Sequence, residues 1–572
     1  MQKKSVFLIL IFLLAITVEA VQSKSVEEPL IFKIIKIDDV KTLRNWLSIS
    51  LLYPDQYHTP EELIEELYQI NDTAPGIIDL YSIGKSVEGR DIFCVRITNE
   101  QNTLPKAGVL FVSHHHAREQ ITVEVGLRFI LTLVNSYGLN PDMTKFVNEE
   151  EIFFIPTLNP DGLHYVVGNK TIQGNPWYRK NFRSIDDDND GEFNEDPPED
   201  TNGDGIISEF IVYTQNQFND WTVSDSYYEG FDNDGDGLVN EDPLSGVDLN
   251  RNYDYRWNDS SCDSGWTTDT TLDDYPGSAP FSEPETQAFR EFVENKDFAT
   301  SISLHSGVNG TYFPWASETY YAEEELYKKI YSDLISLLPL NYLTAAEDQE
   351  YIGYTCGGEW GDWMYAVKNC LVPLTFEIYH NTSSDDLVEF VSEDETKKIW
   401  QWDGIYEKFA PVESAIEDVW SDIQSIFSYW LVITPRLEAS IKSVVGDKNM
   451  SDTLEVTVIL KSLSPVIGSV TEINVVKESL NPVIRKESPV TISEIPAESS
   501  VEKSFKFELE QDFARGSNLT FLIGNKYMGY KPLTIQEDQV EEAQVTIDLI
   551  IPFFAIATLV VIKSRKQMSR MD

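Results

Sequence analysis

Histidine, cysteine and positive charge are all scarce in this chain. Seven His occur in 572 residues, so chance groupings of imidazoles are few. There are four Cys, none near His116 or His305 in sequence. A closed structural zinc site, which would use thiolates, is excluded there. Lys and Arg total 44 against 95 Asp and Glu, a formal net charge of −51 with a pI near 4.3. That balance excludes a general nucleic-acid-binding role on electrostatic grounds. It suits solubility, or a salty or calcium-rich medium. Long apolar runs are missing too. Val6–Ile16 and Leu549–Ile562 both fall short of the roughly 20 residues that carry a helix across a bilayer. What the chain does have is 42% hydrophobic residues and 12 Trp, enough for substantial cores.

His116-Ala117-Arg118-Glu119 places an imidazole and a carboxylate three residues apart. A second imidazole, His305, comes from the distant segment Ser303-Leu304-His305-Ser306-Gly307. Two His and one carboxylate, with a fourth position left to water, form the ligand set of a catalytic zinc site. A lone His-x-x-Glu is equally a helix-end His beside a solvated Glu, so its company decides. Asn159-Pro160-Asp161-Gly162 follows, then Trp177-Tyr178-Arg179-Lys180 and Gly246-Val247-Asp248-Leu249-Asn250-Arg251-Asn252. Phe281-Ser282-Glu283-Pro284-Glu285-Thr286, His305, Tyr354 and Thr375-Phe376-Glu377 complete the series. In this order the chain resembles a zinc metallocarboxypeptidase of the carboxypeptidase A/B type. The resemblance runs from about Tyr57-His58-Thr59 to about residue 410, with one large insertion.

The resemblance implies an α/β catalytic domain with a mixed sheet over residues 53–410. Zinc would be held by His116, Glu119 and His305, lowering the pKa of its water toward neutrality. Glu377, ending the apolar run Leu371–Phe376, matches the general base; restricted solvation there suits base-then-acid work. Arg179 matches the arginine that stabilises the tetrahedral intermediate. Lys180 and Arg183 lie nearby, but a fixed fork of donors suits the task better than a flexible ammonium. Arg251, with Asn250, would bind the free C-terminal carboxylate of a peptide. Tyr354 matches a mobile tyrosine that closes over substrate, and Arg118 a further substrate contact. Asp248 matches the carboxylate that orients the first zinc His. His114 and His115 read as strand-end or pocket-wall residues. Side-chain preference is open: Glu359 would attract Lys or Arg, Trp360 would form an apolar wall, and Gly361 decides nothing. A broad preference is expected. The stretch before Tyr57 is too short for the globular inhibitory pro-segment of digestive relatives.

The insertion, residues 184–245, carries three related Asp-rich segments. Their oxygen donors are Asp186, Asp188, Asp190 and Glu195; Asp200, Asn202, Asp204 and Glu209; and Asp232, Asp234, Asp236 and Glu241. Alternate oxygen ligands followed by Gly resemble short calcium loops, with the terminal Glu earlier than in an EF-hand. An acidic solvated loop is the plain alternative. Periodicity predicts helices over Thr59–Ile70 and Thr122–Tyr137 and buried strands over Val109–Ser113 and Ile152–Leu158. From 431 to 535 alternating strands predict a small β-sandwich. Residues 1–20 read as a signal peptide. Residues 545–562, followed by Lys563, Arg565 and Lys566, read as a C-terminal transmembrane anchor. That places the catalytic domain outside the cell; a secreted form with a cleaved sorting signal is the alternative. Cys94, Cys262, Cys356 and Cys370 would be free to pair there, Cys356 with Cys370 first. The function that follows is a zinc- and calcium-binding carboxypeptidase acting on peptide C-termini. A calcium-dependent surface binding protein with an inactive peptidase fold, and a deacylase of small amides, are the alternatives. No catalytic position is missing, and Asn250, Arg251 and Tyr354 favour a peptide C-terminus.

Overall fold

In the computed structural model the described residues are 49–167, 175, 177–183, 198–203, 207–215, 220–233, 245–339, 354–381, 388–393, 397–446, 453–465, 474–477, 484–487, 495–497, 499–509, 519–535 and 545–546. The signal-like stretch and most of the Asp-rich donors lie outside them, namely Asp186, Asp188, Asp190, Glu195, Asp204, Asp234, Asp236 and Glu241.

A seven-stranded mixed sheet forms the centre. Its strands are β1 (Ile78–Lys85), β2 (Asp91–Ile97), β3 (Ala107–Ser113), β4 (Glu150–Ile155), β7 (Thr300–His305), β8 (Asn309–Tyr312) and β9 (Val372–Ile378). Their order is β1-β2-β4-β3-β7-β9-β8. The central strands β4, β3, β7 and β9 run parallel. They are buried along nearly their whole length, as parallel strands covered on both faces are. Helix α2 (Ile121–Ser136) is buried almost all round, as a helix without a polar face must be. Phe129 on α2 lies 4.9 Å from Phe111 on β3 and 4.6 Å from Phe427. Phe427 belongs to α9 (Ile416–Ile433), so the packed core extends past residue 410.

Helix α1 (Pro60–Thr73) starts where Thr59 and Glu62 form a reciprocal capping box. Just before it, His58 is fully buried. Its Nδ1 lies 2.9 Å from both carboxylate oxygens of Glu124 on α2, and its Nε2 is 3.4 Å from Glu66 on α1. Burial opposes the imidazolium, but hydrogen bonds to Glu124 and Glu66 outweigh it and raise the pKa from 6.5 to about 9. The sign follows by linkage. A group with a raised folded pKa contributes fully below its unfolded pKa and loses that contribution as pH rises through the folded one. Unfolding free energy is therefore expected to decline between pH 6.5 and about 9, by up to about 3 kcal/mol. Urea midpoints across that range check this; His58→Gln should flatten the slope, and an equal slope in the variant rejects the assignment.

The insertion contributes β5 (Glu209–Gln215) and β6 (Trp221–Tyr228). With β10 (Val388–Glu393) and β11 (Lys397–Trp402) they form a four-stranded antiparallel sheet, order β10-β11-β5-β6. Glu209 thus sits within a strand, opposite Tyr228 and Trp402. Asp200 accepts the Gly203 N–H at 2.7 Å in a turn, and Asn202 and Asp232 are exposed.

Two further antiparallel sheets follow. One has the order β15 (Ile484–Glu487), β16 (Ser500–Leu509), β13 (Thr453–Ser462), β12 (Leu437–Gly446), β19 (Val545–Thr546); the other is β14 (Asn474–Lys477), β17 (Leu519–Asn525), β18 (Gly529–Ile535). The β17–β18 turn touches the approaches to the central strands. Tyr530 N–H donates to Pro105 O, Tyr527 Oη donates to Asn369 O at 3.0 Å, and Lys526 pairs with Asp297 at 2.7 Å. Arg436 stacks on Phe146 and lies 3.7 Å from Glu150 at the start of β4; burial pushes the Glu150 carboxyl up to about 8.

Two expectations need correction. All four cysteines are free and buried. Cys370 lies in the core with its Sγ 3.3 Å from Ser301 Oγ, whereas the Cys356 N–H is held by Ala316 O, so each belongs to a different packing environment. The first residues of the expected anchor, Val545 and Thr546, pair with Val444 and Ser443 as a strand. Among the described residues no helix is long and apolar enough to cross a membrane. Leu549–Ile562 lies outside them.

Candidate active site

Parallel strands deliver side chains to one edge of a sheet, at their C-terminal ends. His305 is the last residue of β7, and Glu377 stands opposite it near the end of β9. The chain leaving β3 turns at His114, whose φ of 63° is left-handed. That conformation is held by His114 Nε2–H donating to Ala117 O at 2.8 Å, which leaves Nδ1 to accept from Thr157 Oγ1 at 2.9 Å. Burial lowers the His114 pKa to about 4, so the ring is neutral. The turn places His116 and Glu119 beside His305.

The donor atoms of His116, Glu119 and His305 lie within 4.8 Å of one another. Glu119 Oε1 is 2.7 Å from His116 Nδ1, and Glu119 Oε2 is 3.0 Å from His305 Nδ1. The two Nδ1 atoms are 3.2 Å apart. The outer nitrogens are occupied: His116 Nε2 is 3.0 Å from Asp248 Oδ1, and His305 Nε2 is 2.9 Å from Ser303 Oγ. Asp248 accepts the Nε2 proton of His116, so that ring's Nδ1 lone pair faces inward. A carboxylate and inward imidazole nitrogens, with outer partners fixing the rings, fit a zinc ion. His115 is not a donor here; its ring is buried between Tyr253 Oη at 3.0 Å and Ser303 Oγ at 3.1 Å.

Glu377 is half-buried, and its Oε2 has no hydrogen-bond partner. Burial, then the charge of Glu119, pushes its carboxyl well above the usual range, against Arg179. Arg179 donates to Asp248 Oδ2 from Nε at 3.1 Å and Nη2 at 2.9 Å, and its Nη1 lies 3.3 Å from His116 Nδ1. Asp248 therefore joins His116 to Arg179, and it also caps the short turn Leu249–Arg251 by accepting Asn250 N–H at 2.8 Å. Asn250 Oδ1 accepts the Trp360 N–H at 3.0 Å, so its amide nitrogen remains a donor. Arg251 reaches Tyr354 Oη at 3.4 Å, and Tyr354 itself is exposed.

Sequence reasoning missed the frame that holds these arginines. Lys180 is buried, and its Nζ donates to the carbonyls of Thr270 at 2.9 Å and Leu272 at 3.1 Å. That clamps a loop whose Asp273 pairs with Arg118 at 3.1 Å. The same loop's Asp274 accepts from Ser264 Oγ, which in turn lies 3.4 Å from Arg251 Nε. The signal was Lys180 beside Arg179; alternation along the chain sends the two side chains to opposite sides. Arg118 also lies over the Phe409 ring at 4.3 Å. Trp360 is no pocket wall: it is fully buried in the core with Tyr253 and Trp363.

The profile of the zinc carboxypeptidases matches residues 63–424, well over half the chain. The chain belongs to the zinc carboxypeptidase family. Every site residue named above lies inside that span, and the sheets built from 437 onward lie outside it. A zinc carboxypeptidase of Saccharothrix mutabilis subsp. capreolus is 36% identical over 126 residues, 22% of this chain and 28% of that protein. Mouse carboxypeptidase A6 is 24% identical over 281 residues, 49% of this chain and 50% of that protein. An inactive metallocarboxypeptidase of Sclerotinia sclerotiorum is 24% identical over 250 residues, 42% of this chain and 31% of that protein. The chain thus spans half the length, or less, of these relatives. Among solved structures, carboxypeptidase A from Helicoverpa armigera aligns with a TM-score of 0.44 and 18% identity, over 68% of this chain and 78% of that one.

Proposed function

We propose that the protein is a zinc-dependent carboxypeptidase that removes the C-terminal residue of peptides or proteins. The observation that carries this reading is the half-buried Glu377 carboxylate, whose Oε2 makes no hydrogen bond in the fold, beside the converging donors of His116, Glu119 and His305. Zinc held by those three residues supplies Lewis-acid chemistry, polarising the scissile carbonyl and acidifying water. The chain's own residues do the rest. Arg251 and the Asn250 amide bind the terminal carboxylate and set the register of the peptide. Tyr354 covers the bound end. Arg179, fixed by Asp248, faces the charge that develops on the old carbonyl oxygen. Glu377 takes the proton of the attacking water and passes it to the leaving amine; its raised pKa suits both transfers. One relative is named inactive, but this chain keeps a full donor triad and Glu377, which supports turnover.

We further infer that the 184–245 insertion binds calcium through its Asp-rich segments. The support is the threefold pattern of oxygen donors and the attachment of its hairpin to β11, beside the site. The C-terminal sheets are proposed to form a β-sandwich spacer, and the chain to work outside the cell on a C-terminal anchor; the apolar run and basic tail support this. Two chelators separate the two metals. A zinc-selective chelator is expected to abolish hydrolysis of a blocked dipeptide with a free C-terminus, and added zinc to restore it. A calcium-selective one is expected to leave zinc bound while the insertion becomes open to limited proteolysis. Hydrolysis that survives zinc removal rejects the mechanism; proteolysis unchanged by calcium removal rejects the calcium sites.

A further inference from the structure

The Tyr354 side chain is 43% exposed, and its hydroxyl reaches Arg251 Nη2 only at 3.4 Å. Packing of the ring therefore does little to fix it, and its place has to come from the backbone on which it hangs. On the C-terminal side that backbone is held by Asp263 and its neighbour. Asp263 Oδ2 accepts the Thr355 N–H at 2.8 Å and the Thr355 hydroxyl at 3.0 Å. These two bonds, the backbone one first, hold the Asp263 carboxyl below the usual range, as bonds to an ionised acceptor do. In return the N–H groups of Asp263 and Ser264 donate to Thr355 O at 2.9 and 3.0 Å. The Thr355 N–H belongs to the same planar unit as the Tyr354 carbonyl. Holding it sets the plane from which Tyr354 projects.

The same short segment braces Arg251. Ser264 faces Cys356 in a parallel bridge, and the Gly357 N–H donates to Ser264 O at 3.2 Å. Ser264 Oγ lies 3.4 Å from Arg251 Nε and itself donates to Asp274 Oδ2 at 2.7 Å. Asp274 also accepts the Gly265 N–H at 3.1 Å. Gly265 has a φ of +82°, and a Cβ there would meet Gly357 O at 2.7 Å and Arg251 Cδ at 2.8 Å. Only glycine lets the segment lie this close to the arginine stem. The arginine and the tyrosine that are to hold the peptide end thus share one three-residue support, 263–265.

We propose that Asp263 is a positioning residue: its carboxylate holds the Tyr354–Thr355 peptide against the segment that braces Arg251, and so presets Tyr354 for the bound C-terminus. Asp263 is exposed and acts through Thr355. Presetting of this kind acts on binding, because a group already near its place loses less freedom when the ligand arrives. Loss of the Asp263 carboxylate therefore raises KM and spares the chemical step run by Glu377 and Arg179. The assignment rests on the carboxypeptidase reading above.

The experiment compares the full-length zinc enzyme with Asp263→Ala, Asp263→Asn, Tyr354→Ala and the double variant Asp263→Ala/Tyr354→Ala, on hippuryl-Phe and hippuryl-Arg. Asp263→Ala is expected to raise KM about five- to twentyfold on both substrates. Its kcat should stay within about threefold of wild type, with melting temperature and bound zinc unchanged. Asp263→Asn keeps an oxygen for the Thr355 N–H and should hold KM within about threefold of wild type. In the Tyr354→Ala background, Asp263→Ala should move KM by less than about twofold, since the group it positions is gone. A KM unmoved by Asp263→Ala overturns the proposal, as does one that rises equally with and without Tyr354. A fall in kcat that follows the melting temperature makes Asp263 a fold contact and also overturns it. If the wild type cuts neither substrate, the carboxypeptidase reading is what fails. The same cycle is then read from calorimetric binding of free phenylalanine and free arginine. A loss on Asp263→Ala that vanishes in the Tyr354→Ala background upholds the proposal, and any other pattern overturns it.

Discussion

Glu377→Gln is expected to lower kcat by about 10²- to 10⁴-fold, the range supplied by a positioned acid–base group, while bound zinc stays at wild-type stoichiometry. Glu377 is not among the three converging donors, so the substitution leaves the metal ligands intact. Gln has the same shape, and the affected Oε2 makes no hydrogen bond in the fold, so no partner is orphaned. Metal analysis, a melting curve and steady-state kinetics on one preparation separate the possibilities. Loss of zinc along with activity would make Glu377 a ligand. Turnover within tenfold of wild type would remove it from the reaction.

The second large effect belongs to Arg251. Arg251→Ala should cut kcat/KM for peptides with a free C-terminus on the order of 10²- to 10³-fold, as truncating one partner of a buried charge pair does. Peptides ending in an amide offer no carboxylate, so they should be poor substrates of the wild type and be little worsened in the variant. Arg251→Lys should fall between the two, because an ammonium cannot reproduce the bidentate fork. Equal cleavage of free and amidated peptides by the wild type would refute the exopeptidase reading outright.

The site was legible because its residues are punctuated by chemistry. His116 and Glu119 lie on one turn, Glu377 ends an apolar run that had to be a buried strand, and His305 ends the more polar strand Thr300–His305. Adjacency of those strands brings the four together, and their register, His305 opposite Glu377, is a tertiary fact that no local pattern carries. The hairpin Glu209–Gln215 and Trp221–Tyr228 was hidden for another reason. Its alternation is short, its Asp-rich flanks dominate the composition, and its strand partner, Lys397–Trp402, comes almost two hundred residues later. Lys180 was set aside in favour of Arg179, and its role as an anchor was hidden because its three carbonyl acceptors lie some ninety residues further along the chain. The cysteines were judged by their spacing around a loop, but Cys370 is tucked into the core and Cys356 lies in another environment. Trp360 failed similarly: a large aromatic next to a pocket motif was needed by the core instead.

The turn at Lys526–Tyr530 grips the protein under its floor. Pro105, Asp297 and Asn369, the residues it holds, all precede the strands that carry the reacting groups to the opposite rim. A strand of seven residues such as Ala107–Ser113 puts roughly 20 Å between these levels. The turn therefore holds the sheet at the end remote from the reacting groups. A label placed at this turn would stand on the side that arriving peptides do not use.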